Sequence, residues 1–180
     1  IIMKLLILAS GRGSRLKKNT LNKPKCLVHV LKKPIISYVI PSFNQFKEVI
    51  MVVGYKSNQI KTYLRNITKV RFINNPNFST TNMVESLFLA NDYINDDVII
   101  IYSDIIFDLN LLDELKKTTY STVPIYKNWY ALWQKRMNEK TILLDAEDLK
   151  IKNKKIISIG EEIGNIVPDY QFMGIIKINK

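Results

Sequence analysis

The 180-residue chain contains one cysteine, Cys26, and one histidine, His29. A lone cysteine forms no internal disulfide, and a lone histidine beside it leaves neither a Cys/His zinc set nor a His-paired nucleophile. The setting expected from this is reducing, namely the cytoplasm. Long apolar runs are missing too: no segment approaches the roughly 18 apolar residues of a membrane-crossing helix, so no membrane span is expected. The apolar opening is short, is interrupted by Lys4 and runs straight into a glycine loop, so it reads as a strand and not as a secretory leader. Acids are scarce at first. Residues 1–71 hold 15 Lys and Arg against the single acid Glu48, whereas residues 72–180 hold 12 basic and 15 acidic residues. The formal charge of +11 is therefore concentrated in the N-terminal part, where its field attracts polyanions. A nucleic-acid-binding module is the alternative that this basicity suggests, but a nucleic-acid partner is not expected, because no aromatic residue interleaves with the Lys and Arg of residues 10–35 and no nucleic-acid-binding module is matched.

What is present is a strand-like Lys4-Leu5-Leu6-Ile7-Leu8-Ala9 that breaks into Ser10-Gly11-Arg12-Gly13-Ser14-Arg15-Leu16, with Lys23-Pro24-Lys25 shortly after. Glycines let backbone amides approach a ligand closely, and the arginines and lysines add fixed positive charge, which is what a polyphosphate requires. The Walker A spacing is absent, and the dinucleotide fingerprint would need glycine where Leu16 stands. The N-terminal third is therefore read as a grip for a nucleoside triphosphate of another type.

Along the rest of the chain, strand and helix patterns alternate. Strands are expected at 48–53, 70–73 and the fully apolar 98–101; helices are expected at 35–46, bent or ended near Pro41, at 57–64 with Ser57 as cap, and at 82–93, where Met83, Leu87, Ala90 and Ile94 share a face. The alternation predicts an α/β fold, a mostly parallel open sheet with helices on both faces, and ligands at the carboxyl ends of strands 4–9 and 98–101. Beyond Lys117 the pattern turns to extended runs at 122–126, 141–144, 155–159 and 172–178, with a Trp-rich helical stretch between the first two. A single domain is expected from a chain of this length with 47% hydrophobic content: a nucleotide-binding part over 1–117, and an acceptor-side part over 118–180 built onto the same sheet. The sequence ends in or just after a strand with no closing helix, so a continuation beyond Lys180 is expected. Nothing in it sets an oligomeric state.

Arg15 is the candidate for the β- and γ-phosphates, because a guanidinium fork stands beside inward-facing amides. Lys25, restrained behind Pro24, is the candidate for the α-phosphate. Asp104 follows the apolar strand 98–101, where a carboxylate near phosphates is a natural Mg²⁺ ligand. Asn82 has two readings, a contact to base or acceptor and a helix cap completed by Glu85. Trp129, Trp133 and Arg136 fall at i, i+4 and i+7 on one helical face. They offer either a stacking and cation surface with a phosphate-binding arginine, or a core stripe with Arg136 snorkelling.

The run Leu8-Ala9-Ser10-Gly11-Arg12-Gly13-Ser14-Arg15-Leu16 followed by Lys23-Pro24-Lys25 resembles the MobA-like and sugar-phosphate nucleotidyltransferases, whose signature is close to L-A-[AS]-G-x-G-x-R-[LM] and then [KP]-P-K. Thr81-Asn82-Met83-Val84-Glu85-Ser86-Leu87, the W-x-x-x-W-x-x-R segment at Trp129 to Arg136, Asp145-Ala146-Glu147 and Gln171-Phe172-Met173-Gly174-Ile175 resemble the choline-phosphate and phosphonate cytidylyltransferase branch. The resemblance implies a Rossmann-like fold of the nucleotide-diphospho-sugar transferase type. The implied activity is transfer of a nucleotidyl group, CMP from CTP first, onto a small phosphorylated or phosphonate acceptor, with pyrophosphate released; a sugar-1-phosphate acceptor with another NTP is the alternative. Phosphocholine-like or aminophosphonate acceptors would serve the decoration of cell-surface glycans. It further implies nucleotide contacts from Leu8, Ala9, Ser10, Gly11, Arg12, Gly13, Ser14, Arg15, Lys25, Asn82 and Ser86, acceptor contacts from Asn82, Trp129, Trp133 and Arg136, and Mg²⁺ on Asp104. A second metal carboxylate is implied further along. Asp145, with Glu147 beside it, is the candidate in view, the alternative being a residue beyond Lys180.

Overall fold

The computed structural model describes residues 3–67, 70–163 and 166–180. Its longer strands are β1 (Met3–Ala9), β2 (Glu48–Val53), β3 (Val70–Asn74), β4 (Asp97–Tyr102), β5 (Glu147–Lys152), β6 (Lys155–Glu162) and β7 (Ile175–Ile178). The α-helices are α1 (Ser57–Leu64), α2 (Met83–Phe88), α3 (Asn110–Lys117), α4 (Trp129–Gln134) and α5 (Glu139–Asp145). Two compact units result, one of Ile1–Thr122 with Gly174–Lys180 and one of Val123–Met173.

The first unit is built on a five-stranded sheet in the order β7-β4-β1-β2-β3. Strands β1 to β4 are parallel, and β7 runs antiparallel to β4. Side chains alternate across a strand, so successive residues of β1 serve different cores. Leu5, Ile7 and Ala9 join Met51, Val53, Ile99 and Ile101 beneath Ile60 and Leu64 of α1 and Leu112 and Leu115 of α3. Leu6 and Leu8 join Ile50, Val52, Val98 and Ile100 on the opposite face, against Ala90 and Leu87. Burial on both faces explains why these strands are apolar nearly throughout.

Local structure departs from the pattern in four places. Residues 35–46 form two 3-10 turns, because Pro41 has no amide to donate and the chain closes i to i+3 bonds instead, Val39 N to Ile36 O and Ser42 N to Val39 O. Helix α1 starts after Lys56, which has a positive φ of 48°, and Ser57 makes no side-chain cap. The helix expected over 82–93 stops at Phe88 and resumes as a 3-10 turn over Asn91–Tyr93. Residues 141–144 are helical and not extended: Asn138 Oδ1 accepts from Thr141 N at 2.9 Å, and that cap outweighs the strand preference of Thr141-Ile142.

The second unit has its own small core of Trp129, Ile142 and Ala146, with Tyr130, Trp133, Met137 and Ile163 around it. Strands β5 and β6 form an antiparallel hairpin through Asn153 and Lys154, both at positive φ. Residues Ile125–Tyr126 pair with Gln171–Phe172. The stretch after Met173 does not stay with this unit. It returns to the first one as β7, where Lys177 is 1% exposed and donates to Thr118 O and, at 3.2 Å, to Thr118 Oγ1. The boundary between the two units falls after Thr122, with Gly174–Lys180 in the first.

At the amino end of the sheet, Lys4 is buried yet charged. Its Nζ donates to Tyr93 O at 2.8 Å and Asn95 Oδ1 at 2.7 Å and lies 3.1 Å from Glu48 Oε2. Arg71 donates to the other oxygen of Glu48. Hydrogen bonding from Arg71, and then the ammonium of Lys4, hold the Glu48 carboxyl below its ordinary 4.5. Glu48→Gln is expected to cost roughly 2 kcal/mol at pH 7, because a buried ammonium loses its counter-ion. A depressed carboxylate stabilises the fold above the unfolded pKa and loses that effect as pH falls through the folded one. The gap between wild type and Glu48→Gln in urea midpoints should therefore begin to shrink as pH falls below 4.5 and close only once it has passed the lower pKa of the folded carboxyl, and a gap independent of pH would refute the pairing.

Candidate active site

In a parallel sheet, residues that directly follow the strands meet at the carboxyl edge, and here the chain reverses direction about β1, with β2 and β3 on one side and β4 on the other. Ser10, Gly54, Asn75 and Ser103 occupy those first positions. Ser103 N donates to Leu8 O at 3.1 Å, Tyr55 N to Ser10 O at 2.9 Å and Asn75 N to Val53 O at 2.7 Å, so the edge is tied together by main-chain bonds beyond the strands. A pocket of about 150 Å³ opens there. It is lined by Leu8, Ala9, Ser10, Gly11, Gly13, Lys25, Cys26, Met83, Ser103 and Asp104.

Gly13 explains how Lys25 reaches this pocket. Its φ is +66°, and a Cβ added to it would lie 2.9 Å from Lys25 Cβ and 3.2 Å from Cγ and Cδ. The missing side chain is therefore the space through which the lysine stem runs. After Gly13 the loop closes as 3-10 turns over Ser14–Thr20, and Thr20 Oγ1 donates back to Gly13 O at 2.9 Å. Tyr55 fastens the same loop by donating to Thr20 O at 3.0 Å and Leu21 O at 2.7 Å.

Lys25 Nζ and Asp104 Oδ2 form an ion pair at the pocket, with 33% and 24% of the two side chains exposed. The candidate phosphate ligand and the candidate metal ligand are thus neighbours that neutralise each other. Arg12 is exposed, with its guanidinium 5.4 Å above the Tyr55 ring. Ser14 and Arg15 are exposed on the first turn after Gly13 and do not line the pocket. Asn82 caps α2: its Oδ1 accepts from Glu85 N at 3.0 Å, and Glu85 Oε2 accepts from Asn82 N at 2.8 Å. Ser86, one helical turn on, is 1% exposed and lies 2.8 Å from Ser10 Oγ. Met83, expected on the core face of this helix, is half exposed and lines the pocket instead.

The remaining candidates lie in the second unit. Trp129 is 1% exposed, donates from Nε1 to Pro168 O at 3.0 Å and meets Trp133 edge to face at 5.1 Å. Of its two readings this is the geometry of the core stripe: the indole fills the core of its unit. Trp133 is partly buried, and its own neighbour Arg136 stacks over it at 5.2 Å, so a cation already sits on the ring. Asp145 closes α5 and Glu147 opens β5.

No group of three or more His, Cys, Asp or Glu side chains gathers as a metal cage among the described residues. Magnesium does not need one, since it keeps waters and takes one or two carboxylates together with substrate phosphates. Asp104 at the pocket rim fits that pattern. Cys26 does not act as a nucleophile: it is 1% exposed, and burial pushes its thiol up to about 12. Native protein at pH 8 is expected to resist iodoacetamide and to react fully once unfolded in urea; rapid modification of the folded state would contradict this burial.

Residues 5–143 match the family model of the MobA-like NTP transferase domain. The chain belongs to this family. It is 33% identical to the CTP:phosphoglutamine cytidylyltransferase of Campylobacter jejuni, an alignment spanning 98% of this chain and 73% of that relative. It is 29% identical to the choline-phosphate cytidylyltransferase of Streptococcus pneumoniae over 81% of this chain and 65% of that relative. Among solved structures, the CTP:phosphocholine cytidylyltransferase of Streptococcus pneumoniae superposes with a TM-score of 0.71 at 25% identity, covering all of this chain and 72% of that one. The matched residues include the glycine loop, Lys25 and Asp104. Membership also fits the parallel sheet and its crossing point beside β1. The residues that sequence reading passed over, Gly54, Asn75 and Ser103, share one signal, since each directly follows a parallel strand. No helix among the described residues is long and apolar enough to cross a membrane.

Proposed function

We propose that this NTP transferase domain moves CMP from CTP onto a small phosphorylated or phosphonate acceptor and releases pyrophosphate. The observation that carries this is the convergence of the Ser10–Gly13 loop, Lys25 and Asp104 on one pocket at the carboxyl edge of β1 and β4. The cytidylyl choice draws its support from the two cytidylyltransferase relatives. An acceptor phosphate oxygen attacks the α-phosphorus, the bond from that phosphorus to the α,β-bridging oxygen breaks, and the electron pair leaves on pyrophosphate. No general base is needed, because a phosphate or phosphonate dianion arrives deprotonated. The Gly11–Gly13 backbone cradles the triphosphate, Lys25 opposes charge at the α-phosphate, and Arg15 and Arg12 stand on the loop for the β- and γ-phosphates. Asp104 would hold magnesium, which would supply charge neutralisation on the phosphates, and Asp145 stays the candidate for a second metal carboxylate. Asn82 has Oδ1 committed to the cap and keeps Nδ2 for base or acceptor, while Trp133 and Arg136 are the acceptor-side candidates that remain.

The test is pyrophosphate release with each of the four NTPs against phosphocholine, aminoethylphosphonate, phosphoglutamine and hexose 1-phosphates. Turnover is expected with CTP and an amine-bearing phospho compound. Preference for a hexose 1-phosphate with UTP, GTP or dTTP would replace this reading with the sugar-phosphate one, and no release in any combination would remove it.

A further inference from the structure

Behind the pocket floor lies a buried polar chain that the reaction outlined above does not use. Asn75, Ser86 and Ser10 are 2%, 1% and 7% exposed. The amide of Asn75 is oriented by its own turn: Oδ1 accepts from Asn77 N at 2.9 Å, which leaves Nδ2 to donate to Thr81 Oγ1 at 2.8 Å and to Ser86 Oγ at 3.0 Å. A serine hydroxyl has one proton and two lone pairs. Since Asn75 fills one lone pair of Ser86, the Ser86 proton must go elsewhere, and two acceptors are in reach: Asn82 O at 3.1 Å and Ser10 Oγ at 2.8 Å. When it goes to Ser10, the proton of Ser10 is released toward the pocket that Ser10 lines.

We propose that Asn75 is a positioning residue for the nucleotide: acting through Ser86, it makes the Ser10 hydroxyl a donor into the pocket. The assignment rests on the nucleotide reading above. It also links the segment 75–86, whose helix cap is Asn82, to the first residue of the glycine loop, so that filling the pocket draws the Ser86 proton away from Asn82 O and toward Ser10.

The relay has a polarity, and Asn75→Asp reverses it. An aspartate keeps the acceptor for Asn77 N but takes a proton from Ser86 instead of giving one, so Ser10 must donate backwards to Ser86 and is lost to the ligand. Affinity for CTP with magnesium, measured by calorimetry without acceptor, is expected to fall about tenfold in Asn75→Asp and about tenfold in Ser10→Ala, the equivalent of one lost hydrogen bond. Adding Ser86→Ala to Asn75→Asp should recover most of the loss, because the reversed polarity no longer reaches Ser10. Adding Asn75→Asp to Ser10→Ala should change nothing further. A residue with a merely structural part would make both double variants worse, and that result overturns the proposal. If Asn75→Asp does not fold, Asn75→Ala decides: without the Asn75 donor, Ser86 Oγ is free to accept from Ser10, so a smaller loss of CTP affinity is expected that vanishes when added to Ser10→Ala, and a loss that persists in that background refutes the relay. Should wild-type protein bind none of the four NTPs, the nucleotide reading falls and takes the relay with it; should wild type bind CTP and the variants match it, the relay alone falls.

Discussion

Asp104→Asn is expected to lose about a thousandfold or more in nucleotidyl transfer and, in EDTA, to bind CTP more tightly than the wild type. The two effects come from one contact. In the structure the Asp104 carboxylate holds the Lys25 ammonium, so a triphosphate arriving without metal meets a neutralised lysine and a repelling carboxylate. Asparagine removes the repulsion and frees the cation. For a partly exposed pair such as this one the Coulomb terms are near 1 kcal/mol, so a gain of about fivefold in metal-free affinity is the expected size. With magnesium present the order reverses, because the asparagine amide is a poor ligand for a hard dication and no longer contributes a charge. Calorimetry of CTP binding in EDTA and in magnesium, for both proteins, reads this directly. Weaker metal-free binding by Asp104→Asn would mean that the ion pair does not restrain Lys25, and near-normal turnover would remove Asp104 from the site.

Gly13→Ala should reproduce most of the defect of Lys25→Ala, a loss of about a hundredfold in kcat/KM, while costing only about 1 kcal/mol of stability. The new methyl group enters the space of the Lys25 stem at 2.9 Å from its Cβ, on a backbone at φ +66°. The lysine must swing off its path, and a misplacement of this order is sufficient to remove its contact with charge developing on the phosphates. In the Lys25→Ala background no ammonium is left to misplace, so although the contact with the Cβ of residue 25 remains, the double variant should be scarcely slower than Lys25→Ala alone. Steady-state kinetics on the three variants, with urea denaturation to measure stability, checks both statements. If the two substitutions multiply their losses, Gly13 acts on the phosphates independently of Lys25.

Much of the candidate site could be read along the chain because its parts are local. Strand β1, the two glycines, and Lys25 behind Pro24 fall within the first 25 residues, and Asp104 directly follows an unbroken apolar strand. The alternation of apolar strands with amphipathic stretches likewise announced a parallel sheet covered on both faces. Trp129 and Trp133 show where such reading fails. Helical spacing puts both on one face, but spacing carries no information about whether the face meets a ligand or the core, and for Trp129 it is the core. Thr141-Ile142-Leu143-Leu144 looks extended by composition, and one hydrogen bond from the Asn138 cap makes it helical.

By itself, then, the sequence determined the strand-to-glycine turn, the charge concentrated around it and the class of polyanion such a turn can hold, because these depend on neighbouring residues and on backbone geometry. Only the tertiary structure decided that Ser10 meets Ser86 and, through it, is joined to Asn75, that Lys25 pairs with Asp104, and that the final strand leaves the second unit to lie antiparallel beside β4. Each of these joins residues dozens of positions apart. Their partners are selected by strand order and by the need to satisfy buried polar groups, which no local pattern records.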